Sequence, residues 1–205
     1  MNATVTFGYT RKNPIFSMLE FKIPDNEITV LCGHNGAGKT TLLKILSGIL
    51  PSEAALKESW FVPAGSGLIR HFSLSDHIRM LKATDTELYR AAFELFRAES
   101  FYNVPIRKLS TGQSVMASIL TAIASKREIL LLDEPYASLD PVNAQHLCQL
   151  LKMYPGTVVL TSHDLFLTLE TSAHIQFLKS GSVSWVNQNP EISIEELRAA
   201  YAEFA

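Results

Sequence analysis

A glycine-rich segment between residues 33 and 41 has the composition of a phosphate-binding loop. Gly33-His34-Asn35-Gly36-Ala37-Gly38-Lys39-Thr40 fits the pattern GxxxxGK[ST], and Thr41 follows it. Glycines allow the backbone to curl so that successive N–H groups point at phosphate oxygens. Lys39 adds a positive charge for the β- and γ-phosphates, and the hydroxyl of Thr40 can ligate Mg²⁺. The segment predicts a nucleoside triphosphate site, a chemistry that GTPases, kinases and motors share.

A second acidic site follows an apolar run later in the chain. Asp133 and Glu134 come directly after the residues ILLL at 129–132. At the end of a buried strand, Asp133 can hold Mg²⁺ directly or through water, and Glu134 can face the γ-phosphate and polarise an attacking water. An Asp-Glu pair can also be an ordinary strand end, but together with a phosphate loop it predicts a hydrolytic site.

The elements that position these residues can be read from hydrophobic periodicity. The run EITVLC at 27–32 predicts a strand before the loop, and TTLLKILSGIL predicts a helix after it, with Leu42, Ile45, Leu46 and Ile49 on one face. Strands are also predicted at 3–9 and 15–23, which suggests an antiparallel edge at the start of the chain.

The second half of the chain alternates between helices and strands. Residues 73–126 are predicted to be mostly helical. Buried strands at 128–132 and 157–161 flank a helix near 141–153, which is typical of a parallel α/β sheet. A hairpin around 179–181 and a final helix, whose Ser193 and Glu196 have capping-box spacing, complete the pattern.

Length and composition favour one compact cytosolic unit. The chain has 205 residues, a formal charge of −2 and an isoelectric point near 6.3, so nucleic-acid binding has no support. No apolar run approaches the roughly 20 residues that cross a bilayer. Cys32 and Cys148 have no metal-ligand spacing and are expected to be buried, reduced thiols.

Three further motifs follow in an order that resembles the ABC ATPase family. Leu109-Ser110-Thr111-Gly112-Gln113 looks like the LSGGQ signature, Ser138-Leu139-Asp140 is similar to the D-loop, and Thr161-Ser162-His163-Asp164 is similar to the switch-histidine segment. Tyr9 is similar in position to the aromatic residue that stacks on adenine, although Phe7 could take that role and Tyr9 could instead belong to the core.

The resemblance implies a fold and a set of partners. It implies a P-loop NTPase core of the RecA-like type at about 1–72 and 127–205, and a helical signature subdomain at about 73–126. A second cassette is expected, as a homodimer, together with a transmembrane permease subunit that docks near 67–80. The chain would then lie in the cytoplasm at the inner face of the cell membrane.

The resemblance also implies roles for individual residues. ATP would bind at the phosphate loop, with Thr40 and Asp133 holding Mg²⁺, Glu134 acting as general base, and Lys39 and His163 contacting the γ-phosphate. Two cassettes would close head to tail, and Asp140 would align the facing one. The signature residues that would complete the partner's ATP site are Ser110, Gly112 and Gln113.

The sequence departs from the family pattern at several positions. Ala64 stands where the family places a glutamine that reaches Mg²⁺ and water, and Thr111 replaces the first glycine of the signature. The stretch between Gly48 and Trp60 is also short. Ala64 leaves open a nucleotide-gated switch with slow turnover as an alternative to a transport motor, and a soluble ABC machine is the third alternative.

Overall fold

The computed structural model describes residues 1–10, 14–82, 86–171, 174–187 and 192–204. The strands are β1 (Asn2–Phe7), β2 (Phe16–Lys22), β3 (Ile28–Cys32), β4 (Ser59–Val62), β5 (Ile129–Leu132), β6 (Thr157–Thr161), β7 (His174–Lys179) and β8 (Ser182–Asn187). The helices are α1 (Lys39–Leu46), α2 (Leu74–Met80), α3 (Glu87–Leu95), α4 (Thr111–Ala124), α5 (Pro141–Lys152), α6 (Leu165–Thr171) and α7 (Ile194–Phe204).

The main sheet has six strands in the order β4-β5-β6-β3-β7-β8. All neighbours pair in parallel except β7 and β8, which form an antiparallel hairpin. A separate two-stranded antiparallel sheet joins β1 to β2. The predicted α/β fold with N-terminal antiparallel strands is therefore confirmed, whereas the edge strand β4 was not predicted.

The central strands β3, β5 and β6 are buried on both faces because helices or strands cover each side of the sheet. One hydrophobic cluster packs alternate residues of these strands, such as Val30, Leu130 and Val158, against α4 and α5. The other cluster packs Leu31 and Val159 against α1 and the small β1–β2 sheet. This double burial explains why the strands are nearly continuous apolar runs.

Helix α1 ends earlier than its apolar pattern suggested. Gly48 adopts a φ of 76°, a left-handed conformation that ends helices at low cost in glycine. Ile49 therefore lies beyond the helix and is exposed, so its predicted place on the buried face of α1 was wrong. The buried face is instead formed by Leu42, Leu43, Ile45 and Leu46.

The region between β4 and β5 contains α2, α3 and α4 together with two short 3₁₀ turns at Ala98–Ser100 and Ile106–Lys108. Its helical character matches the expectation, while the subdomain boundaries at 73 and 126 stay a prediction. Within the described residues, no helix combines the length and apolarity needed to cross a membrane.

Both cysteines are free and buried, as predicted. Burial raises the pKa of the Cys32 thiol to about 12, so this thiol stays protonated at neutral pH.

Candidate functional site

The candidate chemical groups lie at the carboxyl ends of three neighbouring strands. The glycine-rich loop follows β3, Asp133 follows β5, and His163 lies two residues after β6. Because β5, β6 and β3 are adjacent and parallel, these ends meet at one edge of the sheet. This edge is where open α/β sheets bind ligands.

Two glycines allow the loop to pack closely against the main sheet on one side and the small β1–β2 sheet on the other. A Cβ atom on Gly33 would lie 2.5 Å from the backbone oxygen of Leu178 in β7. A Cβ atom on Gly38 would lie 2.9 Å from the ring of Phe16 in β2, and Gly38 has a φ of 105°. Larger residues at these two positions would push the loop away from β7 or from β2.

Lys39 is the first residue of α1 and is buried, with 7% of its surface exposed. Its Nζ donates to the carbonyl oxygens of Gly33 at 2.6 Å and His34 at 3.2 Å. The loop carbonyls therefore hold the ammonium group inside the curve of the loop. This position puts the charge beside the start of α1, where the helix dipole also favours anions.

The carboxylate of Asp133 is buried and accepts hydrogen bonds from two threonine hydroxyls. Thr40 lies 2.8 Å and 3.1 Å from its two oxygens, and Thr161 donates to Oδ1 at 2.8 Å. A buried carboxylate next to a hydroxyl, at the end of a strand, is the oxygen-rich donor set that Mg²⁺ prefers. Thr40 and Asp133 therefore fit a magnesium site.

Glu134 and His163 form a contact at the rim of the site. Nδ1 of His163 lies 2.8 Å from Oε2 of Glu134. The Glu134 side chain is 22% exposed and that of His163 is 61% exposed, so water can reach both groups. Glu134 has a φ of 47°, which is uncommon outside glycine, and its backbone N–H donates to Thr161 Oγ1 at 2.8 Å.

A cavity of about 340 Å³ adjoins this pair, formed by Glu134, His163 and residues of α5 and α6. A larger cavity of about 760 Å³ lies at the opposite edge of the sheet, near the starts of β5 and β6. The smaller cavity is the one that matters for the candidate site, because the carboxylate and imidazole line it.

Tyr9 lies beside the phosphate loop. Its hydroxyl is 3.4 Å from Oγ1 of Thr41, and its ring packs edge to face on Phe7 with ring centres 5.3 Å apart. Tyr9 is 64% exposed, so the alternative that it belongs to the core is wrong, whereas Phe7 is half-buried. The adenine-stacking role of Tyr9 stays a prediction.

The signature segment begins helix α4. Ser110 caps the helix by accepting from the Gln113 backbone N–H at 3.1 Å, and the Gln113 side chain accepts from the Ser110 backbone N–H at 3.0 Å. A Cβ atom on Gly112 would lie 2.8 Å from the backbone oxygen of Ser138. Among the described residues, no hydrogen bond joins Ser110 or Gln113 to the phosphate loop of the same chain.

Asp140 caps the start of α5. Its carboxylate accepts from the backbone N–H groups of Asn143 and Val142 and from the Asn143 side chain. These bonds, chiefly the one from the Asn143 backbone, hold the pKa of Asp140 below its usual value. Asp140 thus has a local structural role that its position before Pro141 could have predicted.

Ala64 follows β4, next to the site. The carbonyl of Val62 accepts the backbone N–H of Asp133 at 2.9 Å, so the residues after β4 run beside the acidic pair. Ala64 is exposed and offers only a methyl group. Thr161 is the site residue that sequence reasoning left without a role, although a polar residue at the end of an apolar strand was a usable signal.

The family model described as "ABC transporter" matches residues 16–137, more than half of the chain. A putative ABC transporter ATP-binding protein of Synechocystis sp. is 29% identical over 201 residues, which cover 87% of this chain and 71% of that protein.

Two further comparisons extend the likeness. The ribosome protection protein VmlR of Bacillus subtilis is 28% identical over 204 residues, covering 92% of this chain but 36% of that protein. A solved structure of an ATP-binding subunit of an ABC transporter has a TM-score of 0.84 at 19% identity, covering 98% of both chains, and shares the fold.

Proposed function

This chain belongs to the ABC transporter family and is an ABC-type ATPase, and we propose that it powers transport by a membrane partner through ATP-driven pairing of two cassettes. The observation that carries the hydrolytic part of the proposal is the contact between Glu134 and His163 next to the buried Asp133. A partly exposed base beside a buried carboxylate that can bind Mg²⁺ is the arrangement that activates water against a γ-phosphate.

The residues divide the work of ATP hydrolysis among them. The loop backbone and Lys39 bind the phosphates, and Tyr9 packs on the adenine. Mg²⁺, when bound by Thr40 and Asp133, neutralises charge on the phosphate oxygens. Glu134 accepts the proton of the attacking water, and His163 orients Glu134 and contacts the γ-phosphate.

A second copy of the chain completes the site. The start of α4 presents the Ser110 hydroxyl, the Gln113 side chain and the positive end of a 14-residue helix, all suited to binding an anion. Because these groups do not contact the chain's own phosphate loop, we infer that they serve the facing cassette. The backbone of Ser138 lies against Gly112, so the D-loop and the signature would approach the partner together.

The membrane partner would dock on the segment 67–80. The apolar residues of this segment differ in burial: Leu74 is buried in the core, whereas Ile69, Phe72 and Met80 are exposed. Arg70, His71 and Arg79 of the same segment are also exposed, and Arg79 lies 3.5 Å from the carboxylate of Asp76. Exposed apolar side chains interspersed with basic ones fit a short amphipathic segment that carries acidic residues, and such a partner would hold the chain at the cytoplasmic face of the membrane.

The slow switch remains the second candidate because of one observation. Ala64 removes a polar group from the side of the site where β4 ends. The soluble class is the third candidate, and the relative that supports it is the ribosome protection protein, of which this chain spans 36%.

Steady-state ATP hydrolysis by the wild type and the Glu134→Gln variant tests the proposal. The motor predicts turnover in the wild type that falls by about 10²-fold or more in the variant, because the amide cannot accept a proton. ATP affinity should be retained, since Glu134 does not form the phosphate loop. Equal and negligible turnover in both proteins would support the switch.

A further inference from the structure

Thr161 joins the two acidic residues of the site through one hydroxyl group. Its Oγ1 accepts the backbone N–H of Glu134 at 2.8 Å and donates to Oδ1 of Asp133 at 2.8 Å. Thr161 is fully buried at the end of β6, next to β5 from which both acidic residues emerge. No other described side chain contacts both residues by hydrogen bonds.

The direction of each bond is fixed by chemistry. A backbone N–H can only donate, so the threonine oxygen is its acceptor. An ionised carboxylate can only accept, so the single hydroxyl proton of Thr161 must point at Asp133. One side chain therefore sets the positions of both carboxylate-bearing residues, and it has no remaining proton for another partner.

The backbone that Thr161 supports is unusual. Glu134 has a φ of 47°, a conformation that costs a non-glycine residue of order 1 kcal/mol or more and persists only where neighbours enforce it. The bond from its N–H to Thr161 is one such restraint. From this strained backbone, the Glu134 side chain extends to His163, whose Nδ1 lies 2.8 Å from its Oε2.

We propose that Thr161 is a positioning residue for ATP hydrolysis, which holds the Glu134 backbone in its strained conformation and orients the Asp133 carboxylate toward Thr40. The inference rests on the proposed role of Glu134 as base. Thr161 acts on the reaction only through these two neighbours. Ala64 on the β4 side supplies no polar side chain, whereas the Thr161 hydroxyl from β6 restrains both acidic residues at once.

Two other buried threonines supply matched controls. Thr157 begins the same strand, and its hydroxyl accepts the Asn26 backbone N–H at 2.8 Å at the opposite edge of the sheet. Thr29 in β3 is fully buried, and its hydroxyl has no partner among the described residues. Replacing any of the three by valine removes a hydroxyl while keeping the shape of the side chain.

The experiment compares Thr161→Val, Thr161→Ser, Thr157→Val and Thr29→Val by kcat, KM, ATP affinity without Mg²⁺, and melting temperature. Thr161→Val should lower kcat about 10- to 100-fold, as expected for a lost hydrogen bond to a charged group, with little change in Mg²⁺-free ATP affinity. Thr161→Ser should restore most of the rate. The two control variants should keep the wild-type kcat, even if Thr157→Val melts earlier.

A double variant separates this inference from the proposed function. Because Thr161 acts through Asp133 as well as Glu134, Thr161→Val should lower kcat by a smaller factor in a Glu134→Gln background than in the wild type. Two results would overturn the inference. The first is a kcat for Thr161→Val that equals that of Thr157→Val. The second is a Thr161→Ser variant that is as slow as Thr161→Val, if Thr161→Val is also destabilised. Normal turnover by Glu134→Gln would instead contradict the proposed function.

Discussion

The close approach of Gly112 to the backbone oxygen of Ser138 predicts the effect of one methyl group. In Gly112→Ala, the new Cβ would lie 2.8 Å from that oxygen, a distance that requires the signature helix or the D-loop to shift. Alanine gains about 1 kcal/mol of helix propensity over glycine, and overpacking costs about 1–3 kcal/mol. The free energy of unfolding should therefore fall by roughly 0–2 kcal/mol, which leaves the protein folded.

The functional effect of this substitution should be much larger than its effect on stability. The shift displaces Ser138 and Asp140 together with the start of α4, the surfaces that would meet the facing cassette. ATP hydrolysis should fall at least about tenfold while ATP binding to the isolated chain persists, because the phosphate loop lies elsewhere. Urea unfolding and steady-state ATPase assays measure both effects. A Gly112→Ala variant whose free energy of unfolding rises by about 1 kcal/mol and which hydrolyses ATP at the wild-type rate would refute the reasoning.

The remaining predictions concern other parts of the site and its surface. Lys39→Ala should remove measurable ATP binding by isothermal titration, and unchanged affinity would contradict the assignment of the phosphate loop. Tyr9→Ala should weaken ATP binding about tenfold whereas Tyr9→Phe should not, because base stacking contributes about 1–3 kcal/mol. Phe72→Asp should prevent co-purification with a membrane subunit without changing the ATP affinity of the isolated chain. The hydrogen bonds to Asp140 lower the pKa of its carboxyl group in the folded chain. The difference in unfolding free energy between wild type and Asp140→Ala should therefore be largest above about pH 4 and should shrink as the pH falls further. A difference that does not change with pH would contradict this.

The local patterns in the sequence predicted most of the site. The phosphate loop and the Asp133-Glu134 pair each depend on a strand that is apolar over its whole length, and such strands are readable because both faces are buried. Their meeting at one edge follows from the parallel order of the strands. The capping box of Ser193 and Glu196 was also predicted and is present.

Other features depend on pairings that a single sequence does not encode locally. The strand order places β4 beside β5 although 66 residues separate Val62 from Ile129, and β4 itself is only four residues long. The strained φ of Glu134 and the link through Thr161 arise from contacts between β5 and β6. Ile49 is exposed because Gly48 ends α1 before it, although the apolar pattern of the sequence continues through Ile49.

The claim that two chains share each ATP site can be tested by mixing two inactive variants. Lys39→Ala removes the phosphate site, and Ser110→Arg blocks the signature surface, so each variant alone should lack ATPase activity. In a head-to-tail dimer of one of each, one composite site carries both changes and the other carries neither. An equal mixture should therefore regain activity, up to about a quarter of the wild-type sites. A mixture no more active than its separate components would contradict the shared site.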